Sequence, residues 1–251
     1  MSLTSFKLES FGQSDVGLVR RNNEDVFLQL PQYGFYLLAD GMGGHNAGEI
    51  AAQETIVYLS DCIDKLFRQT HHFLYLELLK NHLSEFIQSS NERIYRLGLE
   101  HQAYKGMGTT LSTLLFYENL VISSHVGDSR IYRFRNNALD QLSQDHTLKN
   151  KLLEQGLLEK AIRDGIRYKN VLTKAIGAFK KIIPDIGVYP VQSKDLYLLC
   201  SDGLSDYVTD DEILCIITSS LSLKDLASNL INKAKIKGGC DNITVLLTKI
   251  D

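Results

Sequence analysis

Four aspartates stand where predicted strands end, and they are the side chains best suited to chemistry in this 251-residue chain. Each borders an apolar run, and the four are Asp40, Asp128, Asp202 and Asp241. A glycine beside three of them lets backbone carbonyls come close to a ligand. Several carboxylates in one place raise one another's pKa unless a cation joins them, and oxygen ligands select hard cations such as Mg²⁺ or Mn²⁺. The sequence therefore predicts a carboxylate-rich metal centre.

A basic residue close to two acids forms a second signal upstream. Arg20 comes shortly before Glu24 and Asp25. The planar guanidinium of arginine matches two phosphate oxygens, so this segment can clamp an anion. A surface salt bridge explains the same pattern, and the three residues alone leave both interpretations open.

The elements that must position these residues change in type along the chain. Alternating apolar residues predict strands, and apolar residues at helical spacing predict helices. The order is strands, two helices, several strands, two helices and a strand, which is not strict βαβ alternation. We therefore expect antiparallel sheets packed together with helices outside them. The predicted strands cover residues 6–11, 25–30, 34–39, 109–117, 120–126, 130–134, 195–200 and 243–250, and the predicted helices cover 47–67, 72–99, 210–219 and 223–235.

Composition narrows the possible functions. The net charge of −3 does not indicate binding to nucleic acid or to an anionic membrane. No apolar run approaches the roughly 20 residues that a membrane-spanning helix needs, and residues 1–9 lack a signal-peptide pattern. The four cysteines are scattered without paired spacing, which argues against disulfides and zinc and favours the cytoplasm. No linker divides the chain, so we expect a single domain over residues 1–251, and nothing demands more than a monomer.

Six motifs follow one another in the order and approximate spacing of the metal-dependent PPM/PP2C serine/threonine phosphatases. The chain resembles the compact bacterial members of that family over residues 14–248, essentially its whole length. A single D-G dipeptide is common in turns, but six motifs in order are specific. The motifs are S-D-V-G-L-V-R-R-N-N-E-D, A-D-G-M-G-G-H, M-G-T-T-L, H-V-G-D-S-R, S-D-G-L and G-G-C-D-N-I-T.

The resemblance implies a fold and an activity. The fold is an α+β, four-layer α-β-β-α sandwich of two antiparallel sheets flanked by helix pairs, with a flap subdomain around residues 145–175. The activity is hydrolysis of phosphoserine and phosphothreonine by metal-activated water at a binuclear Mn²⁺ or Mg²⁺ centre, with a third, weaker metal site. The implied partners are phosphorylated proteins and a cognate serine/threonine kinase.

The resemblance also assigns the central metal ligands, motif by motif. Asp40 would bridge both metals, and the Gly41 carbonyl would bind one of them. Asp202 and Asp241 would bind the other metal. Two metals held in this way stabilise the attacking and leaving oxygens of a phosphoryl transfer together.

Five further residues receive roles in the same way. Arg20 matches the arginine that binds the substrate phosphate. Glu24 and Asp25 would hold metal-bound waters, and Asp128 would bind the third metal. Asn242 is expected to orient a water or a phosphate oxygen.

One departure from the family leaves the general acid unassigned. Many eukaryotic members have a histidine directly after the D-G pair, whereas this chain has Met42, which cannot donate a proton. His45 could act through water, although a structural role beside the helix predicted from residue 47 is the better interpretation. The segment Asp145-His146-Thr147 resembles a recurrent family segment and has no clear catalytic role.

Three alternatives are weighed against this assignment. Cys62 and Arg68 have the C-x₅-R spacing of cysteine-dependent phosphatases, but this stretch lacks glycine and continues a predicted helix. A phosphatase with a narrow regulatory substrate is a second alternative, and Arg20 argues against it because some such relatives lack that arginine. A catalytically silent binding module is the third, and it would be expected to lose metal carboxylates that are all present here.

Overall fold

Two antiparallel sheets lie face to face between helix pairs, so the four-layer α+β sandwich implied by the family resemblance is confirmed. The structure is a computed structural model, and it describes residues 4, 6–43, 47–69, 74–166, 168, 171–219 and 221–251. The strands are β1 Leu8–Asp15, β2 Asp25–Leu30, β3 Phe35–Met42, β4 Gly108–Thr109, β5 Leu111–Tyr117, β6 Leu120–Val126, β7 Arg130–Arg135, β8 Ala138–Gln141, β9 Asp185–Pro190, β10 Leu196–Cys200 and β11 Ile243–Ile250.

The order of the strands brings distant parts of the chain together. One sheet has the order β1-β11-β10-β7-β8, and the other has the order β2-β3-β5-β6-β9 with β4 paired to β3. All strand pairs are antiparallel, and the last strand of the chain lies between the first strand and β10. The two ends of the sequence therefore contribute to the same sheet and, through their loops, to the same end of the sandwich.

Alternation along the strands supplies the two faces of each sheet. In β3, Tyr36 and Leu38 point to the space between the sheets, while Phe35 and Leu37 pack towards the helices. The side chains on both faces of β3 are fully buried, as expected for a sheet that is covered on both sides. Strand β3 therefore lies at the centre of the molecule and holds Asp40 near its end in a rigid setting.

Seven α-helices lie in the described part of the chain. The first helix pair in the chain covers the six-stranded sheet, and the last pair covers the five-stranded sheet. Two short helices fall within the predicted flap, on either side of Gly156. The helices are α1 Ala47–Gln69, α2 Leu76–Glu100, α3 Leu148–Glu154, α4 Leu158–Arg163, α5 Asp202–Ser205, α6 Asp210–Ile217 and α7 Leu223–Ile236.

Two strands were not predicted, and both lie at sheet edges. Strand β8 has only four residues and is largely exposed, so it lacks an apolar pattern. Strand β9 contains Gly187 and ends at Pro190, and both residue types normally interrupt strands. An edge strand tolerates them because one side of its backbone needs no partner. Asn136 and Asn137 form the turn between β7 and β8, with φ of 52° and 61°.

No helix in the described residues combines the length and the apolar character that crossing a membrane would require.

Candidate metal centre

A cavity of about 250 Å³ opens where the strands of both sheets end. The six-stranded sheet contributes Asp40, and the five-stranded sheet contributes the segments around Asp202 and Asp241. Asp128 lies on the connection between β6 and β7, which passes from one sheet to the other. The lining consists of Arg20, Glu24, Asp40, Gly41, Met42, Gly43, Thr110, Asp128, Leu172, Asp202, Asp241 and Asn242.

The predicted site residues therefore come together, although they are spread over more than two hundred positions of sequence. Eight of the nine line this one cavity. The ninth, Asp25, lies opposite Asp40 in the β2–β3 pairing and is buried.

Hydrogen bonds to its backbone hold Asp40 in place. The Asp40 N–H donates to Thr110 Oγ1 at 3.0 Å, and the Asp40 carbonyl accepts from the Thr110 N–H at 2.8 Å. Thr109 Oγ1 donates to the same carbonyl at 2.9 Å. Because the backbone is saturated by these threonines, the carboxylate of Asp40 is free to face the cavity.

The two D-G glycines are required by close packing. A Cβ on Gly41 would lie 2.3 Å from the carbonyl oxygen of Gly48 at the beginning of helix α1. A Cβ on Gly203 would lie 1.9 Å from the carbonyl oxygen of Asn242. Either substitution would force the aspartate-bearing turns apart, so each glycine fixes the distance between an aspartate and a neighbouring segment.

Ser201 joins the two sheets directly beneath the cavity. Its hydroxyl donates to Asp25 Oδ2 at 2.7 Å and accepts from the Thr244 N–H at 2.9 Å. The residue precedes Asp202, which begins helix α5. Asp202 is therefore anchored to both the buried carboxylate of Asp25 and strand β11.

Asn242 makes hydrogen bonds within the protein, and its role towards a water or phosphate oxygen stays a prediction. Its amide nitrogen donates to the carbonyls of Val16 and Asn22 at 3.0 and 2.9 Å, and its amide oxygen accepts from the Glu24 N–H at 2.8 Å. The side chain thus braces the loop that carries Arg20. Its position in the wall of the cavity agrees with the prediction, but its hydrogen bonds are used within the protein.

Arg20 lies at the rim of the cavity. Its Nη2 donates to Asp241 Oδ2 at 2.7 Å, and about half of the side chain is exposed. The other guanidinium N–H groups are therefore accessible to an anion that enters from solvent.

The carboxylates of the cavity are crowded and poorly hydrated. Burial, followed by the negative charges of Asp25 and Asp202, raises the pKa of Asp40 well above its usual range. Burial and the charge of Asp128 do the same to the pKa of Asp202. Burial raises the pKa of Asp25 and of Asp128 to about 6 in each case. Without a cation, these groups hold protons at pH values at which ordinary aspartates are charged.

The donor set fits hard divalent cations. The described lining offers carboxylate oxygens and backbone carbonyls, and no imidazole or thiolate. Asp25 Oδ1 is buried without a hydrogen-bond partner among the described residues, which suits an oxygen that meets a hydrated ion. Within that part of the chain, no three acidic, histidine or cysteine side chains already surround one point. The fit therefore rests on chemistry, burial and charge.

Two aspartates that sequence reasoning did not assign lie beside the centre. A second cavity, of about 510 Å³, shares Asp128 and Asp202 with the first and is also lined by Asp145 and Asp206. Asp206 lies four residues after Asp202, directly beyond the end of α5, and this i,i+4 spacing after a strand end was a usable signal. Burial, followed by the charges of Asp145 and Asp206, is the cause of the raised pKa of Asp128.

Among the described residues, no histidine lines the cavity as a candidate general acid. Met42 lines the cavity and has no proton to donate. His45 lies outside the described residues. Cys62 lies within helix α1, where the backbone N–H groups are already hydrogen-bonded, so the cysteine-phosphatase alternative has no phosphate-binding loop.

The arrangement matches known proteins over almost the whole chain. Residues 4–243 match the family described as Protein phosphatase 2C. The chain belongs to the protein phosphatase 2C family.

Relatives of known structure and name agree with this membership. The chain is 38% identical over 240 residues to "Serine/threonine phosphatase stp" of Listeria welshimeri, which covers 94% of each chain. It superposes on the serine/threonine phosphatase of S. agalactiae with a TM-score of 0.87 at 33% identity, over 98% of this chain and 100% of the other.

A third relative bears on the metal. The catalytic domain of the serine/threonine protein phosphatase PstP, in complex with two manganese ions, superposes with a TM-score of 0.83 at 33% identity, covering 98% of this chain and 99% of that one. Family membership makes the present chain a metal-dependent phosphoprotein phosphatase, and the acidic cavity is the part of it suited to metal ions.

Proposed function

We propose that the chain hydrolyses phosphoserine and phosphothreonine esters of proteins, with two Mn²⁺ or Mg²⁺ ions held in the acidic cavity. The observation that carries the proposal is the burial of several aspartates in one cavity with an accessible arginine at its rim. Buried carboxylates without cations of their own attract metal ions, and the arginine adds a site for a phosphate.

The proposed ligands are those that the family resemblance assigns, and most of them line the cavity at the strand ends. With the roles that the family resemblance implies, Asp40, the Gly41 carbonyl, Asp202 and Asp241 would hold the two ions. Glu24 at the wall and the buried Asp25 would hold water molecules bound to them.

A third, weaker site is proposed in the adjoining cavity. Asp128, which the family resemblance assigns to a third metal, lines it together with Asp202, and Asp206 joins them from just beyond the end of α5. Burial raises the pKa of Asp206. The positive charge of Arg130 lowers this pKa, but by less than burial raises it. This carboxylate therefore also gains from a neighbouring cation.

The protein residues do three things for the reaction. Arg20 binds the phosphoryl oxygens and orients phosphorus towards the cavity. Asn242 holds the loop of Arg20, and Ser201 holds Asp25 and Asp202 in register. When bound, a pair of divalent ions activates a water molecule and neutralises charge on the phosphoryl group. Because Met42 cannot donate a proton, we assign the proton for the leaving group to solvent.

Substrate range and partners extend the proposal. Retention of Arg20 favours a general protein phosphatase over one with a narrow regulatory substrate. We propose a cognate serine/threonine kinase as the source of substrates, a monomeric state and a single domain with a flap at residues 145–175. The four cysteines are free thiols, which supports a cytoplasmic location.

The test uses a generic aryl phosphate and a phosphothreonine peptide. We expect hydrolysis of both with Mn²⁺, loss of hydrolysis in EDTA, and severe loss in Asp202→Ala. Activity that persists in EDTA or in that variant would overturn the binuclear mechanism. No activity with any divalent ion would instead favour a silent binding module.

A further inference from the structure

The proposed chemistry leaves two buried imidazoles, His125 and His146, without a role. His146 lies in the Asp145-His146-Thr147 segment, where the chain leaves β8 and enters the flap. Its side chain is buried and stacks on the ring of His125 at 4.8 Å. Buried polar rings need hydrogen-bond partners, and those of His146 lead directly to the metal centre.

Both backbone polar groups of Gly127 are held by His146. The Gly127 N–H donates to His146 Nδ1 at 3.0 Å, and the His146 N–H donates to the Gly127 carbonyl at 2.7 Å. Gly127 has a φ of 110°, and a Cβ there would lie 2.6 Å from Thr110. The clamp therefore acts on a tight turn whose next residue is Asp128.

The clamp restrains the turn that carries the Asp128 side chain. Among the described residues, no side chain donates a hydrogen bond to the Asp128 carboxylate. The positive charge of Arg130 acts on Asp128, but that guanidinium is bound to Asp145 at 2.8 Å. The direction in which the Asp128 side chain points into the adjoining cavities thus depends on the backbone of Gly127.

The second ring nitrogen of His146 fixes the tautomer. Since Nδ1 accepts from Gly127, the proton resides on Nε2, which donates to Asp185 Oδ2 at 3.1 Å. Asp185 begins β9 and is also held by Lys174 at 2.7 Å. The imidazole is therefore oriented by an edge strand that does not itself reach the cavity.

The backbone of His146 also ties down the flap. Its carbonyl accepts from the Thr173 N–H at 2.8 Å, and Leu148 N–H donates to the Val171 carbonyl at 2.7 Å. Leu172, between these partners, lines the cavity of the metal centre. His146 is thus hydrogen-bonded both to the base of the flap and to Gly127.

We propose that His146 is a positioning residue that aims Asp128 at the weaker metal site and couples its position to the flap. The proposal rests on the proposed function, because it assigns Asp128 to metal binding. His146 contacts neither substrate nor metal. Its role is to hold the turn that carries the ligand, as outer hydrogen-bond partners do around metal sites.

Two polar substitutions test the roles of the two ring nitrogens of His146 separately. In His146→Asn the amide oxygen takes the place of Nδ1, so the Gly127 N–H keeps an acceptor while the contact with Asp185 is lost. In His146→Gln the amide reaches towards Asp185, and the acceptor beside Gly127 is lost. A purely structural role in packing would not distinguish the two variants by metal affinity.

The measurement is calorimetric titration of Mn²⁺ into the metal-free full chain, with melting temperature and aryl phosphate kinetics alongside. We expect His146→Gln and His146→Ala to weaken the weakest Mn²⁺ site by about 10–100-fold, the range typical of outer partners of metal ligands. His146→Asn should stay within about threefold of the wild type. In an Asp128→Ala background, His146→Ala should add no further loss of Mn²⁺ affinity.

Several results would overturn the proposal. Equal Mn²⁺ affinity in the Asn and Gln variants, or a lower melting temperature with unchanged affinity, would leave His146 as a packing residue. An additive loss in the Asp128→Ala background would show that it does not act through Asp128. If His146→Ala fails to fold, the Asn and Gln variants carry the comparison.

Failure of the proposed function gives a distinct pattern. A wild-type chain that neither binds Mn²⁺ nor hydrolyses phosphate esters would reject the phosphatase proposal, and the role of His146 would fall with it. A wild type that does both, with Asn and Gln variants alike, would reject only the His146 proposal.

Discussion

Two regions of this protein bury carboxylates, and they neutralise them in opposite ways. Strand β7 brings Arg130 to Asp145 at 2.8 Å and Arg135 to Asp195 at 2.6 Å, so each of these acids has a cation from the chain itself. The metal centre crowds Asp40, Asp202 and their neighbours together, and Arg20 at the rim reaches only Asp241. The first region is complete as folded, whereas the second needs cations from solution.

The difference shows why one acidic group is structural and the other functional. A buried ion pair orients its two side chains and leaves no buried charge without a partner of opposite sign. A buried cluster of like charges raises its own pKa values and gains free energy from a divalent ion. Removing a carboxylate should therefore have opposite consequences for stability in the two regions.

The largest effect is expected from Asp195→Ala. This change leaves Arg135, with 15% of its side chain exposed, without its partner, which costs about 3–5 kcal/mol of unfolding free energy for a buried pair. Urea unfolding would measure the loss, and the aryl phosphatase activity per folded molecule should not change. Recovery of stability in Asp195→Ala/Arg135→Leu would confirm that the stranded charge is the cause. A loss below about 1 kcal/mol would contradict the comparison.

Asp202→Asn tests the metal centre. We expect kcat/KM with Mn²⁺ to fall about 10²–10³-fold, because a ligand that serves both cavities is lost. In EDTA the variant should be more stable than the wild type, since one like charge has left the cluster. Asp211→Asn, on the exposed side of α6, is the matched control and should change neither quantity. A variant that is less stable in EDTA would show that Asp202 is compensated within the chain.

The pH dependence of the metal-free chain sharpens the same contrast. The pKa of folded Asp25 and of folded Asp128 is raised to about 6, whereas unfolded aspartate titrates near ~3.9. The folded state therefore binds protons that the unfolded state does not, and stability is lost as pH rises through the folded pKa values. In EDTA the melting temperature should be higher at pH 6 than at pH 8. Saturating Mn²⁺ should remove or reverse that difference, and an unchanged slope would contradict the account.

The smallest effect is expected at the rim. Arg20→Lys keeps a charge but loses the fork that meets two phosphate oxygens, so KM for a phosphopeptide should rise about tenfold. The neighbouring Arg21→Lys is the control and should leave KM within twofold. Mn²⁺ affinity should be nearly the same in both variants. A large fall in kcat with constant KM would instead show that Arg20 stabilises the transition state and does not contribute to substrate binding.

The fold was predictable where the residue pattern was strong. Strand β11 was predicted at residues 243–250 and occurs there, and both helix pairs lie within a few residues of the prediction. Strand β1 begins and ends later than predicted because its register is set by β11, with Gly12 packed against the ring of Phe27. Pairing of this kind is a tertiary property that a local pattern does not contain.

The site was predictable as a set of residues and less so as a set of roles. Motif order brought Asp40, Asp202 and Asp241 together correctly in one cavity. The bracing role of Asn242 depends on carbonyls of a loop more than 200 residues earlier in the chain. The clamp of His146 on Gly127 likewise crosses between a turn and the flap. Such partners are fixed by the fold, so the sequence alone could not assign them.

The most direct test of the central claim is a titration of Mn²⁺ into the metal-free wild-type chain, with heat, melting temperature and hydrolysis of a phosphothreonine peptide followed together. The account predicts at least two ions bound per chain, a melting temperature that rises with occupancy, and hydrolysis that begins only as both ions bind. Hydrolysis in chelator, or Mn²⁺ binding that leaves the melting temperature unchanged, would contradict it.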